Sequence, residues 1–222
     1  MAKHEQAVID SFNKFFERQA VKNGRKVRSF SLDGQDALAG ADYILTDQSR
    51  FALIEFKHTQ AEIITESKKD KRLQLCTKLE LQLEMKALHD QCHFIAWAKV
   101  PEMKAQCNIY RLEVCNQLIF GTTCGLSHLS PSSGNRIFAK QFTTEFFSGM
   151  PPRSLSLSEF ESYVAWLLQV ASGSSKSSFE LLTYDETSDE CAMIKLSSIS
   201  AAYDWMQKQQ PQDAPSSSRY GI

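Results

Sequence analysis

The run Phe51-Ala52-Leu53-Ile54, closed by Glu55-Phe56-Lys57, constrains this chain more than any other stretch. A strand turns successive side chains to opposite faces, so residues two apart share a face. Glu55 and Lys57 therefore stand side by side, while Phe56 enters the opposite layer. Upstream, Asp42 opens a second apolar run, Tyr43-Ile44-Leu45. If the two runs pair, a carboxylate from each and one ammonium converge at one end of a sheet. Such a group can hold a hard divalent cation and set water against a phosphodiester.

Context carries this reading, because Glu-x-Lys recurs at Glu66-Ser67-Lys68, Glu84-Met85-Lys86 and Glu102-Met103-Lys104. These lie in a charge-rich stretch, a helical pattern and a polar connection. Only Glu55-Phe56-Lys57 closes a hydrophobic strand that follows another strand beginning with Asp.

A chain of 222 residues can bury a real core as one generous domain or as a domain with an appendage. No stretch approaches the length of a membrane span, and the first residues lack a signal-like apolar segment, so a cytoplasmic protein without membrane contact is expected. The six cysteines (76, 92, 107, 115, 124 and 191) form no CxxC pair and are expected to be reduced thiols. With a formal net charge of −1, any footprint for nucleic acid must be local.

Residues 4 to 20 read as a helix, with Val8, Phe12, Phe15 and Phe16 at helical spacing and Asn23-Gly24 as the stop. Strands are expected over 26–32, 42–46 and 51–57, the last two joined by a hairpin connection at 47–50. A helical region from Ser67 to Asp90 and a buried strand at Phe94–Ala98 follow, and Asn108 to Val114 reads as a further strand. Ile137 to Phe147 fits strand or helix. Ser158 begins a helix through a capping box with Glu161. Then come a linker at 172–178, a hairpin from Phe179 to Leu196, a short helix from Ser198 to Lys208 and a disordered tail from 211 to 222. The expected division is a domain at 1–150, a helical and hairpin extension at 151–210, and the tail.

Helix, three strands, helix, strand, with Asp42 at the second strand and Glu55-Phe56-Lys57 closing the third, resembles the PD-(D/E)XK nuclease superfamily over residues 4 to about 100. Ala41 replaces the frequent proline before the Asp, and no Gln-x-x-x-Tyr motif follows, so the likeness to the RecB-like branch is incomplete. The resemblance implies an α/β, restriction-endonuclease-like αβββαβ core with a mixed central sheet flanked by helices. It implies Asp42 and Glu55 as metal-binding catalytic carboxylates, Lys57 as the catalytic lysine and the backbone carbonyl of Phe56 as a further ligand. The implied cofactor is Mg²⁺, with Mn²⁺ as the substitute. The implied activity is phosphodiester hydrolysis, with DNA as the first substrate and RNA still open, in restriction, repair, recombination or defence against foreign DNA. One chain with one site cuts one strand, so duplex cleavage calls for a homodimer, a larger assembly or repeated events.

Elementary chemistry agrees. Two carboxylates suit a hard cation that keeps its waters, and the cation lowers the pKa of a bound water. A partly desolvated lysine beside it is expected to lose basicity and to orient or deprotonate that water. The competing readings are a strand-capping Asp42 with a solvated Glu55–Lys57 pair, and a catalytically inactive nuclease-fold module for nucleic-acid binding or assembly. Glu5 lies on the inward stripe of the first helix, where the superfamily often adds a metal-binding Glu; an acid in a frayed first turn is the alternative. Lys68, Lys69, Lys71 and Arg72 form the one concentrated basic run, able to contact phosphates or to be a solvated helix face. Arg72, Gln74 and Lys78 are the helix positions that can face the sheet end. His89-x-x-Cys92-His93 lacks a fourth zinc donor and reads as a helix end with a core-facing cysteine.

Overall fold

The computed structural model describes residues 2–32, 41–47, 49–69, 71–102, 104–172, 179–185 and 190–196, with 201 and 204. Helix α1 (Ala2–Lys22) buries Val8, Phe12, Phe16 and Ala20, one every fourth residue, so a single stripe meets the sheet. Gly24, at φ 65°, turns the chain out of the helix. Strands β1 (Arg28–Ser31), β2 (Tyr43–Thr46) and β3 (Phe51–Thr59) form an antiparallel meander with Phe30 opposite Ile44 and Ile44 opposite Leu53. The expected hairpin connection is present: Asp47 Oδ1 accepts the Ser49 and Arg50 N–H groups at 3.2 and 3.0 Å.

A parallel neighbour for β3 requires a long crossover. It consists of a 3-10 segment (Gln60–Lys68), α2 (Arg72–Leu81) and α3 (Leu83–Cys92), and it returns as β4 (His93–Lys99) beside β3, with Glu55 opposite Ile95 and Lys57 opposite Trp97. Strand β5 (Lys104–Ile109) runs antiparallel to β4. After the short helices α4 (Tyr110–Val114) and α5 (Gln117–Phe120), the two-residue β6 (Ile137–Phe138) pairs with β5. The mixed sheet runs β6-β5-β4-β3-β2-β1 and continues beyond β1 into the hairpin β7 (Phe179–Asp185) and β8 (Glu190–Leu196). Ser31 opposite Leu182 makes that junction, so the expected C-terminal hairpin extends the main sheet.

Helices cover both faces. On one, α1 and α6 (Ala139–Ser148) pack Phe12, Phe16, Phe142 and Phe146 onto Ala52, Ile54, Phe56, Phe94 and Ala96. On the other, α2, α3 and α7 (Leu157–Ser172) pack Leu75, Leu79, Phe160, Val164 and Leu167 around Phe51, Leu53, Ile95 and Trp97. The protein is thus α/β with a mixed sheet between helical layers.

Several local expectations need correction. The single helix expected over Ser67–Asp90 is three pieces, broken where Lys71 adopts φ 72° and where Gln82 leaves helical geometry. Three residues per turn set Ile63 and Glu66, both buried, in one row of the 3-10 segment. Asn108–Val114 is a strand end followed by α4, because the Asn108 side chain is held by Glu113 and the Ser132 carbonyl and its Oδ1 takes the Ile109 N–H at 2.8 Å. The 137–147 segment is both β6 and α6. The capping box of α7 is Ser156 with Glu159, whose Oε2 accepts the Ser156 N–H at 3.1 Å, rather than Ser158 with Glu161. Cys76 and Cys115 are joined by a disulfide (Cα–Cα 5.1 Å), which corrects the expectation of six thiols. A spacing of 39 residues gave no hint of the pair, since the crossover alone brings α2 to the end of α4. Cys92, Cys107 and Cys124 are free. No helix among the described residues is long and apolar enough to cross a membrane. The linker, most of the last short helix and the tail lie outside the described residues.

Candidate active site

The three residues singled out by pattern converge at the end of the β2–β3 ladder. Asp42 donates its N–H to the Ile54 carbonyl at 2.9 Å, and its carboxylate continues the ladder by accepting the Phe56 N–H at 2.6 Å. The strand-capping role weighed for Asp42 is therefore real. The solvated pair weighed for Glu55 and Lys57 is not: these residues are 0% and 4% exposed. Lys57 Nζ donates to Glu55 Oε1 and, at 3.0 Å, to the Phe56 carbonyl.

Four further side chains complete the cluster. Glu66, from the 3-10 segment, places Oε1 3.0 Å from both Lys57 Nζ and Lys69 Nζ. Its Oε2 takes Arg72 Nε at 3.2 Å and the Tyr110 hydroxyl at 2.6 Å. Lys69 Nζ also reaches Glu55 Oε1, at 2.5 Å. Three carboxyl groups (42, 55 and 66) thus meet three cationic groups (57, 69 and 72), with 55, 57, 66 and 72 buried and 42 and 69 half-buried.

This packing sets the protonation states. Burial, and then the negative charge of Glu55, push the Asp42 carboxyl up to about 8. Burial and the Glu66 charge also raise Glu55, but two ammonium groups on one oxygen mark it as a carboxylate. For Glu66 burial is outweighed by Lys57, Lys69 and Arg72, which hold it well below the usual range. For Lys57 burial is likewise outweighed by Glu55 and Glu66, so its pKa is raised. The expected loss of basicity is corrected: desolvation acts, but two buried carboxylates act more strongly.

The basic run divides. Lys68 and Lys71 are exposed, Lys69 is turned onto Glu55 and Glu66, and Arg72 is 1% exposed with its guanidinium on Glu66. A phosphate footprint that includes Arg72 is therefore corrected, since a buried ion pair holds the guanidinium inside the fold. Of the helix positions proposed to face the sheet end, Arg72 does so, while Gln74 is exposed and Lys78 half-buried. Glu5 is half-buried on α1 and joins none of the cluster's ion pairs. His58, beyond Lys57, packs against His4 with ring centroids 5.0 Å apart.

Glu66 and Tyr110 were missed. In the sequence Glu66-Ser67-Lys68 reads only as part of a charge-rich stretch. The available signal was the three-residue spacing of Ile63 and Glu66, which sets an acid in the buried row of a tight helix just ahead of the bases Lys69 and Arg72. Behind Tyr110 the polar core continues: its ring stacks on His93, 4.7 Å between centroids. The Tyr163 hydroxyl lies 2.7 Å from Nδ1 of both His89 and His93. His89 Nε2 accepts the Arg111 N–H at 3.2 Å, so its own proton sits on Nδ1 and Tyr163 donates to His93. Cys92 is core-facing, as the sequence suggested.

Asp42, Glu55 and the Phe56 carbonyl have the oxygen chemistry of a Mg²⁺ or Mn²⁺ site. Two observations fit a cation there. Glu55 Oε2 is buried and has no hydrogen-bond partner among the described residues, and the two carboxyl groups repel each other. The donor set stops at two carboxylates and one carbonyl, and no group of three or more His, Cys, Asp or Glu side chains arranged for a metal occurs among the described residues. A cavity of about 540 Å³, bounded by Gln60, Ile64, Trp97, Val100 and Leu118, opens past the end of β3, and none of the charged cluster lines it. The chain matches no family model, no curated protein and no solved structure.

Proposed function

We propose that this protein is a divalent-metal-dependent nuclease of restriction-endonuclease-like fold that hydrolyses phosphodiester bonds in DNA. The observation that supports the reading is the meeting of Asp42, Glu55 and Lys57 at one strand end, with a buried carboxylate oxygen of Glu55 left without a hydrogen-bond partner. Leaving such an oxygen unmatched is costly in a fold with no use for it.

In this reading Asp42, Glu55 Oε2 and the Phe56 carbonyl hold Mg²⁺ or Mn²⁺. When bound, the metal polarises the phosphate and lowers the pKa of a water. Lys57 stays protonated, fixed by Glu55 and Glu66, so its part is to orient the water and offset phosphate charge rather than to accept the proton. Asp42, neutral near pH 7 in the absence of a cation, releases its proton when one binds. Exposed Lys68 and Lys71 offer charge to the phosphate backbone nearby.

One observation favours a second reading, an inactive nucleic-acid-binding or assembly module. Lys57 Nζ already sits on the Phe56 carbonyl, one of the oxygens a metal would use, and on Glu55 Oε1, the partner of another. Titration with Mg²⁺ and Mn²⁺, followed by incubation with single-stranded and duplex DNA and RNA, separates the two. The nuclease reading expects metal-dependent cleavage that Asp42→Asn and Glu55→Gln each remove, with weakened metal binding. DNA binding without cleavage under any metal would sink it in favour of the module.

A further inference from the structure

We infer that Glu66 is a positioning residue that draws the Lys57 and Lys69 ammonium groups off Glu55, so that Glu55 can take a cation without stranding two buried charges. The inference rests on the metal-site reading of Asp42 and Glu55 and assigns a role to a residue outside it.

Both ammonium groups are shared between the same two acids. Lys57 and Lys69 each contact Glu55 Oε1, and each lies 3.0 Å from Glu66 Oε1. Glu55 is thereby neutralised by two cations, and a dication approaching Oε2 meets two like charges already seated on its partner oxygen. Lys57 cannot withdraw to water at little cost, since it is 4% exposed and both acids are buried, while Lys69 is half-buried against the same two acids. Glu66 Oε1 is the alternative seat. It makes ion pairs but no well-aligned hydrogen bond, so it has acceptor capacity in reserve. Its other oxygen is fixed by Arg72 and Tyr110, which anchors the carboxylate while the lysines shift between the acids. Two acids and two lysines thus form a charge relay that a metal tips toward Glu66.

Calorimetric titration of Mg²⁺ into the full chain tests this without reference to cleavage. Glu66→Gln leaves Glu55 as the one acid that both lysines contact and should weaken Mg²⁺ binding about 10–100-fold, the usual effect of losing a group that supports a metal ligand. Lys69→Met removes one competing cation and should tighten binding. Lys68→Met removes an equal charge one residue away, on an exposed side chain, and should change little. The gain from Lys69→Met should be larger in the Glu66→Gln background than in the wild type, a coupling that bulk electrostatics or simple structural damage does not produce. Glu66→Asp, which keeps the charge, should restore most of the affinity.

Equal effects of Lys68→Met and Lys69→Met, or additive effects of Glu66→Gln and Lys69→Met, overturn the inference while leaving the metal site standing. Absence of Mg²⁺ binding in the wild type overturns both. Because Glu66→Gln removes the anion beside Arg72 and can cost the fold, the Lys69→Met and Lys68→Met comparison decides by itself: no tightening in Lys69→Met rejects the relay.

Discussion

Beyond Leu53, the two faces of β3 are both buried and chemically opposite. On one, Phe56 is 0% exposed and meets Phe12 and Tyr43 edge-on at 5.3 and 6.1 Å, within a layer of aromatic rings. On the other, Glu55 is also 0% exposed, yet it meets two ammonium groups and a second acid. Apolar burial stabilises a fold outright, whereas buried ion pairs at best roughly offset their own desolvation. The aromatic face therefore explains itself through stability, and the charged face does not. A fold that buries Glu55, Glu66, Lys57 and Arg72 together is expected to use them.

Substitutions at adjacent positions put this contrast to the test. Phe56→Ala should show the largest effect on stability, about 3–5 kcal/mol, because it empties a ring-sized volume from a packed layer. Chemical denaturation measures it, and a loss below about 1 kcal/mol would mean the aromatic face is not the support of the sheet.

Lys57→Met keeps the length of the side chain and removes its charge. Cleavage should fall about 10²–10³-fold at saturating metal, the scale of losing one placed electrostatic group. Lys69 still contacts both acids, so the stability loss should be smaller than for Phe56→Ala. Near-wild-type turnover in a folded Lys57→Met protein would make the charged face structural after all.

The raised Asp42 carboxyl gives a pH signature with a fixed sign. Between its ordinary value of 3.8 and about 8, the folded protein keeps a proton that the unfolded chain has lost, so stability declines as pH rises through that window. On the proposed metal-site reading, a bound cation expels the same proton. Mg²⁺ affinity should rise by roughly tenfold per pH unit up to about 8 and then level, while Asp42→Asn abolishes the slope along with most of the affinity. A flat profile across pH 6–8 in the wild type would show that Asp42 does not release a proton on binding.

The smallest effect concerns the surface. Replacing exposed Lys68 and Lys71 with Gln should lower the slope of log affinity for DNA against log salt by about two, one counterion per lost contact. The chemical step at saturating substrate should barely change. An unchanged slope would remove both lysines from the proposed contact with DNA.

Local pattern made β3 legible, because alternation is written into a strand residue by residue. Glu55 and Lys57 on one face and Phe56 on the other follow from period two alone. The buried stripe of α1 and the hairpin at 47–50 were legible for the same reason: each depends on neighbours within a few positions. The split of Ser67–Asp90 was not, since its periodicity suits an α-helix from both sides of the breaks and the row of Ile63 and Glu66 is chosen by what lies beneath it.

The sequence by itself therefore determined which side chains share a face of β3, and that Asp42 stands beside them once β2 and β3 pair. Only the tertiary structure decided their partners. Glu66 reaches Lys57 because the crossover folds back over β3, and Tyr110 reaches Glu66 from a helix that begins only after two further strands. The disulfide between Cys76 and Cys115 belongs to the same class of fact. The charge states followed from that assembly: Lys57 gains basicity rather than losing it because a second acid, distant in the chain's local pattern, enters the same buried space. Periodicity fixes the direction of a side chain relative to its own element. Electrostatics depends on distances between elements, and those exist only once the layers have packed.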